Sequence, residues 1–313
     1  MNKDKLIIAT RESALALWQS HYVKSMIEKA FPELSCQLLK LKTEGDRILD
    51  RPLNEIGGKA LFMKSLETAM LEKRADIAVH SLKDVPYALP EGFTLAAFSP
   101  RENPQDAFVS NRYASLDQLP KGAKIGTSSL RRKAQLLAYR PDLIIESLRG
   151  NVNTRLQKLD RGDYDAIILA AAGLIRLGLK ARIKQYIATD ICLPSAGQGV
   201  VVIECLKKET ALIERLSRLN NKKSRQCVEA ERAFNQRLQG GCHVPIAAYG
   251  EIQSDLITLS AMVASPDGKR LLKDEAVAAL SERSPKDVGV MLAEKMIAQG
   301  ARQILALSNK ERP

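Results

Sequence analysis

Short β-branched runs alternate with helical spacing along most of this chain, and that alternation limits the folds open to it. Lys5–Thr10 (KLIIAT) reads as a strand and Ser13–Ala30 as a helix, with Leu17, Tyr22, Met26 and Ala30 among its apolar positions. Leu38–Lys42 is a further strand, Ala60–Lys73 a helix, and Asp76–Leu82 and Thr94–Phe98 strands. The rhythm restarts after a breaker cluster at Pro100–Pro104 (PRENP). Lys124–Gly126 ends a strand, Leu130–Tyr139 is helical, Leu143–Ser147 is a strand, Val152–Arg161 a helix, and Ala166–Ala172 a buried strand. A second cluster, Leu193–Gly199 (LPSAGQG), precedes the apolar run Val200–Leu206, which can return to the first set of strands. This βαβ pattern predicts an α/β protein with parallel sheets covered by helices.

The character changes near Lys222. A helix over Ser224–Leu238 stops at Gly240-Gly241, strands follow at Ile246–Ile252 and Leu256–Val263, and a last helix runs from about Lys286 to Gln299 with Gly300 as its stop. That is an α+β segment. The expected division is residues 1–99 with 200–217, residues 105–193, and residues 222–313, a sensible partition for 313 residues.

Three strand-to-helix junctions carry arginine beside hydroxyl or amide side chains. They are ATRESALAL with Arg11 and Ser13, GTSSLRRKA with Thr127, Ser129, Arg131 and Arg132, and LRGNVNTRL with Arg149 and Arg155. A helix N-terminus offers free N–H groups, and arginine adds a planar fork that matches a carboxylate. In an open α/β sheet these loops lie at the ligand-binding edge. The alternative is ordinary capping with solvated arginines. None of the three holds GxGxxG or GxxxxGK[ST], so neither a dinucleotide site nor a Walker loop is indicated. The formal charge of +12 suits a polyanionic partner. With aromatics at 4% and no helix-turn-helix, RNA-recognition or zinc-finger pattern, nucleic acid is not the expected one.

Lys83 and Asp84 in HSLKDVP follow a strand, where a carboxylate beside a cation can move a proton or stabilise a developing positive charge. Read locally, Asp84 equally caps the turn before Pro86. The segment Thr43–Lys59 is long and charged, as lids and plain surface loops both are. In QGGCHVP two glycines and Pro245 hold Cys242 on a defined turn, where a thiol can act as nucleophile or attachment point; a buried, inert cysteine is the other reading. Five cysteines without a CxxC pair make no disulfide framework, and three histidines show no metal-ligand spacing, so no metal is expected. No apolar run reaches the length of a membrane span and no signal peptide is evident, which points to the cytoplasm.

The segment ERAFNQRLQGGCHVPIA (Glu231–Ala247) resembles the cofactor-attachment motif of the porphobilinogen deaminase (hydroxymethylbilane synthase) family. IATRESALAL, GGKALF, AVHSLKDVP, GTSSLRR, LRGNVNTRL, AAAGLIRLG and LPSAGQG resemble that family's other blocks, in order. The resemblance implies three domains, two of them lobes like those of periplasmic binding proteins with the active site between them, and a small α+β C-terminal domain. It implies a cytoplasmic, monomeric transferase of haem and other porphyrin biosynthesis, which joins four porphobilinogen molecules head to tail with loss of ammonia and gives hydroxymethylbilane. The implied cofactor is dipyrromethane, held by a thioether to Cys242, with Lys83, Thr127, Ser129, Arg131 and Arg132 binding it. Arg11, Ser13, Lys59, Arg149, Arg155 and Arg176 would bind the substrate carboxylates. Asp84 would be the catalytic carboxylate, stabilising the azafulvene cation left by deamination. Ala60 stands where the family commonly has glycine, which would stiffen a lid. Asn153 replaces another common glycine, with asparagine's tolerance of left-handed backbone expected to keep the loop shape. The competing reading is a two-lobed protein that binds a polycarboxylate anion without catalysis.

Overall fold

A computed structural model describes residues 5–42, 60–240 and 244–310. The chain divides into two compact units, Met1–Glu102 with Gly199–Arg225, and Asn103–Gln198 with Gln226–Pro313.

The first unit is built on β1 (Lys5–Arg11), β2 (Ser35–Leu41), β3 (Ile77–Ser81), β4 (Phe93–Phe98) and β10 (Val201–Leu206), in the order β2-β1-β3-β10-β4. Alternate residues of each strand feed opposite faces. On one face Leu6, Ile8, Ile77, Val79 and Ile203 pack with Val23 and Ile27 of helix α1 (Ala14–Ala30). On the other, Ala9, Ala78 and Leu206 pack with Leu66, Ala69 and Met70 of α2 (Ala60–Leu71). β1 runs parallel to β2 and β3, but β10 is antiparallel to both β3 and β4. The expected parallel sheet is therefore mixed. β10 arrives from a distant part of the chain with no crossover helix to set its direction.

The second unit holds two sheets. The larger has the order β7-β6-β8-β5-β9, from β5 (Asp106–Val109), β6 (Lys124–Gly126), β7 (Ile144–Glu146), β8 (Ala166–Ala170) and β9 (Gln185–Ile187). β6 is parallel to β7 and β8, whereas β5 is antiparallel to β8 and β9, so this sheet too is mixed. Helix α3 (Leu130–Tyr139) covers one face through Leu136, and α4 (Val152–Asp160) with α5 (Ala171–Arg176) covers the other through Leu156 and Leu174. The AAA run expected to extend the strand to Ala172 turns instead into α5 at Ala171. A short helix, α6 (Thr210–Ser217), belongs to the first unit.

The smaller sheet is an antiparallel meander of β11 (Ile246–Gln253), β12 (Leu256–Ala264) and β13 (Leu271–Ala279). Phe234 of α7 (Lys222–Arg237) and Leu292 and Met296 of α8 (Pro285–Ala298) pack on Ile257, Leu259 and Val263 beneath it. Gly300, at φ +97°, ends α8 as expected, but another helix, α9 (Ala301–Lys310), follows. These three sheets and their helices make the α/β class, with a small α+β C-terminal part.

Candidate functional site

In the first unit β1 and β3 are parallel neighbours, with Ile8 opposite Ile77. Their C-terminal ends therefore share one sheet edge, which brings Arg11 to the turn that follows β3. Ser13 caps α1, its Oγ accepting from the Ala16 N–H at 3.4 Å. The residues Leu82–Asp84 form a single 3₁₀ turn. Leu82 and Val85 are buried on either side of it. The Leu82 N–H donates to the Val200 carbonyl at 2.9 Å, and the Val85 N–H closes the turn onto the Leu82 carbonyl at 3.0 Å. Lys83 and Asp84 are thus held half-buried between two hydrophobic anchors. The turn closes through backbone alone. The Asp84 carboxylate accepts no capping bond among the described residues, which removes the local capping reading.

In the second unit the C-terminal ends of β6, β7 and β8 share an edge in the same way, with Gly126 opposite both Glu146 and Ile167. Thr127 and Ser129 follow β6. Ser129 caps α3 by accepting from the Arg132 N–H at 3.4 Å, and the Thr127 hydroxyl accepts from the Ser129 N–H at 3.2 Å. Arg149 is half-buried after β7. Gly150, at φ +114°, turns the chain into α4, which Asn151 caps through the Thr154 N–H at 2.9 Å. Arg155 is half-buried and folds back, Nε donating to the Gly150 carbonyl at 2.7 Å. Arg176 is buried in the last turn of α5. Asn153 lies inside α4, so its expected left-handed backbone is not used; Gly150 supplies that conformation two residues before the helix.

Arg131 and Arg132 do something the sequence reading missed. Both turn inward onto Asp106 of β5, a fully buried carboxylate. Arg131 Nη2 donates to Oδ2 at 2.6 Å, and Arg132 donates to Oδ1 from Nε at 3.0 Å and from Nη2 at 2.7 Å. Gln198 Nε2 adds a bond to Oδ1 at 3.0 Å. Burial alone would raise the Asp106 pKa, but the two guanidiniums, with the bonds from Arg132 and Gln198, hold it well below the usual carboxylate range. Arg131 is raised in turn, Asp106 outweighing the cost of burial. The neighbouring Cys192 thiol is pushed up to about 12, chiefly by burial and then by Asp106. Among the described residues two cations meet one anion here, which leaves the cluster with a net buried positive charge. Such a charge is costly unless an anion meets it. Arg131 Nη1 also donates to the Leu193 carbonyl at 2.5 Å and Arg132 Nη1 to the Ile168 carbonyl at 3.0 Å, and each guanidinium still carries N–H groups beyond these bonds. This donor set fits a carboxylate-rich cofactor.

Glu231 was also missed. It is fully buried on α7, accepting from the Gly197 N–H at 2.7 Å and the Gly250 N–H at 2.8 Å. It ties the LPSAGQG loop to β11. The helix that carries it ends at Arg237, and Gln239 beyond it takes left-handed backbone (φ +53°), one residue before the expected glycine pair. Lys59 and Cys242 lie outside the described residues.

Residues 6–214 match the family model described as porphobilinogen deaminase, dipyromethane cofactor binding domain, and residues 225–298 match that of the porphobilinogen deaminase C-terminal domain. The chain belongs to the porphobilinogen deaminase family. Its residues 6–214 are accordingly that family's dipyrromethane cofactor-binding domain. A porphobilinogen deaminase of Francisella tularensis subsp. holarctica (strain FTNF002-00 / FTA) is 60% identical over 301 residues, covering 96% of this chain and 99% of that one. A porphobilinogen deaminase of Francisella tularensis subsp. novicida (strain U112) shows the same identity and coverage. Among solved structures, a putative methionine-binding lipoprotein from Bacillus subtilis is 15% identical with a TM-score of 0.45, covering 72% of this chain and 93% of that one. A nutrient-binding protein from Burkholderia cenocepacia is 13% identical with a TM-score of 0.43, covering 67% and 89%.

Proposed function

We propose that this chain is a transferase that joins four porphobilinogen molecules head to tail, releasing ammonia at each step and giving hydroxymethylbilane for tetrapyrrole synthesis. The observation that carries this reading is the 60% identity, over 96% of the chain, to a porphobilinogen deaminase. Cytoplasmic location and a monomeric state belong to the same reading and are checked by fractionation and by light scattering. Among the described residues no helix is long and apolar enough to cross a membrane.

Each pyrrole of the substrate carries an acetate and a propionate, so the growing product gains carboxylates at every addition. Arg11, Arg149, Arg155 and Arg176, with Ser13 and Lys59, are assigned to the substrate carboxylates. Lys83, Thr127, Ser129, Arg131 and Arg132 are assigned to the dipyrromethane, with Cys242 as its thioether anchor. The bound dipyrromethane supplies the primer pyrrole to which the first substrate is joined. Four other cysteines, Cys36, Cys192, Cys205 and Cys227, are buried. Burial pushes the Cys36, Cys192 and Cys205 thiols up to about 11, 12 and 12, which leaves them poor nucleophiles and supports Cys242 as the anchor.

Asp84 is assigned the chemistry. A carboxylate there accepts the pyrrole N–H, stabilises the cation that forms as ammonia leaves, and takes up the proton released as the new ring regains aromaticity. Its turn is anchored at both ends, which fixes the carboxylate without spending it on a cap.

The test is the intact mass of the purified protein with peptide mapping across Cys242, followed by incubation with porphobilinogen. The reading requires two linked pyrrole units on Cys242 and formation of hydroxymethylbilane. A chain that binds porphobilinogen but carries no adduct and forms no product would be a polycarboxylate-binding protein instead.

A further inference from the structure

Ser128 has no role in the chemistry above, yet it stands between Thr127 and Ser129 where β6 gives way to α3. Its partners belong to the next junction, that of β7 and α4, which carries Arg149. Ser128 Oγ is 2.9 Å from the Leu148 carbonyl and 2.9 Å from Ser147 Oγ. A serine has one hydroxyl hydrogen, and a carbonyl only accepts. Ser128 therefore donates to Leu148, and the Ser147 hydroxyl donates to Ser128.

A third element reaches the same junction. Tyr164 precedes β8, and its O–H donates to the Ser147 carbonyl at 2.7 Å. In the sheet β6 lies between β7 and β8, so the tyrosine ring has to cross β6. It crosses at Gly126. A Cβ there would stand 3.0 Å from Tyr164 Cδ1 and 3.1 Å from side-chain carbons of Ile167 and Leu148, closer than packed carbon atoms come. The ring lies against the buried cluster that holds Leu148 and Ile167. The backbone on both sides of Arg149 is thus pinned from several directions. The Glu146 carbonyl accepts from the Thr127 N–H at 2.9 Å, that of Ser147 from Tyr164, that of Leu148 from Ser128, and that of Gly150 from Arg155 Nε at 2.7 Å.

We propose that Tyr164 and Ser128 are positioning residues for Arg149, clamping the β7–α4 junction to β6 so that the arginine is held at one place on the carboxyl edge of the sheet. This rests on the assignment of Arg149 to the substrate carboxylates. A side chain whose backbone is already fixed loses less freedom when it meets its ligand. The clamp therefore serves carboxylate binding, in the ground state and the transition state alike, and its loss appears in KM and not in kcat.

The experiment uses the full-length holoprotein. Amide hydrogen exchange followed by mass spectrometry reports local opening, and steady-state turnover of porphobilinogen gives kcat and KM. In the double variant Tyr164→Phe with Ser128→Ala, the peptide over residues 147–155 is expected to exchange about fivefold faster than in the parent, with residues 106–109 of β5 unchanged. KM is expected to rise about tenfold with kcat within about twofold, and Tyr164→Phe alone, which keeps the ring across Gly126, to raise KM about threefold. Ser128→Thr keeps the hydroxyl, so replacing Ser128→Ala by it in the double variant should return KM to that of Tyr164→Phe alone. The proposal is overturned if the 147–155 peptide of the double variant exchanges as in the parent, if it exchanges faster while KM holds, if kcat falls in place of the rise in KM, or if Ser128→Thr is as impaired as Ser128→Ala. Should the parent itself fail to convert porphobilinogen, the functional reading falls, while the exchange rates still decide whether the clamp exists.

Discussion

Two carboxylates of this chain illustrate opposite uses of one functional group. Asp84 is held in place by its neighbours, and its carboxylate is not tied down by a bond to any of the described residues. We expect Asp84→Ala to fold normally, with unfolding free energy within about 0.5 kcal/mol of the parent, because no cap is lost. Turnover should fall at least about 100-fold, the usual scale for losing a positioned acid–base group. Product formation by stopped assay and a urea melt on the same preparation check both halves. Asp106 is the reverse case, spent entirely on two arginines, a glutamine and a thiol. Asp106→Asn keeps the shape and removes the charge, leaving two buried guanidiniums without a counter-ion. That should cost about 3–5 kcal/mol by urea denaturation and leave cofactor-free protein, detectable by intact mass.

At the scale of elements, helix-to-helix approach in the C-terminal part depends on a missing side chain. A Cβ on Gly289 of α8 would run into the Ala230 carbonyl of α7 and come within 2.9 Å of Ala233 Cβ. Gly289→Ala should therefore destabilise by about 1–3 kcal/mol despite alanine's better helix propensity, seen as a lower urea midpoint. The elements that sequence reading located share a trait: each has either an apolar run with turn residues at its ends or a cap with helical spacing behind it. β1, β3, α3 and β10 are of this kind. β13 was missed because Lys273, Asp274 and Glu275 put three charges in succession on both faces of the strand, Asp274 accepting from Lys295 of α8 and from Gln299, so no apolar alternation shows in the sequence. β5 was missed because all four of its residues are buried and it opens on Asp106, so neither an alternation nor an apolar start marks it. The sites divide the same way. The junctions bearing Arg11, Ser129 and Arg149 are local and were legible. Asp106 was not, because its partners are 25 and 26 residues away and meet it only once β5 enters the sheet beside β8. Glu231 was hidden for the same reason, reaching the Gly197 loop before it in sequence and strand β11 after it.

The whole molecule should show a stability optimum in acid-to-neutral solution, set by groups that pull in opposite directions. Asp106 is lowered in the folded state, so its stabilisation is present above the unfolded value of 3.8 and is lost as pH falls below it. Glu67 is raised from 4.5 to about 7, so the folded state holds a proton the unfolded chain has released, and stability declines as pH rises across that interval. The Cys36, Cys192 and Cys205 thiols are raised from 9.0, so a further loss begins above pH 9. Urea midpoints measured from pH 3 to pH 10 should trace these three limbs, and Glu67→Gln should flatten only the middle one.

The central place of β10 has a consequence for how the protein is made. It lies between β3 and β4, and among the described residues β4 has no other neighbour in its sheet. Its residues leave the ribosome about 100 positions after those of β4. A chain growing at roughly 5–20 residues per second therefore carries β4 unpaired for several seconds. The whole of the larger sheet of the second unit emerges during that wait. The lobe translated first is thus the one whose sheet closes later, and until residue 206 is out its Phe93–Phe98 strand is an unpaired apolar edge that a chaperone can cover.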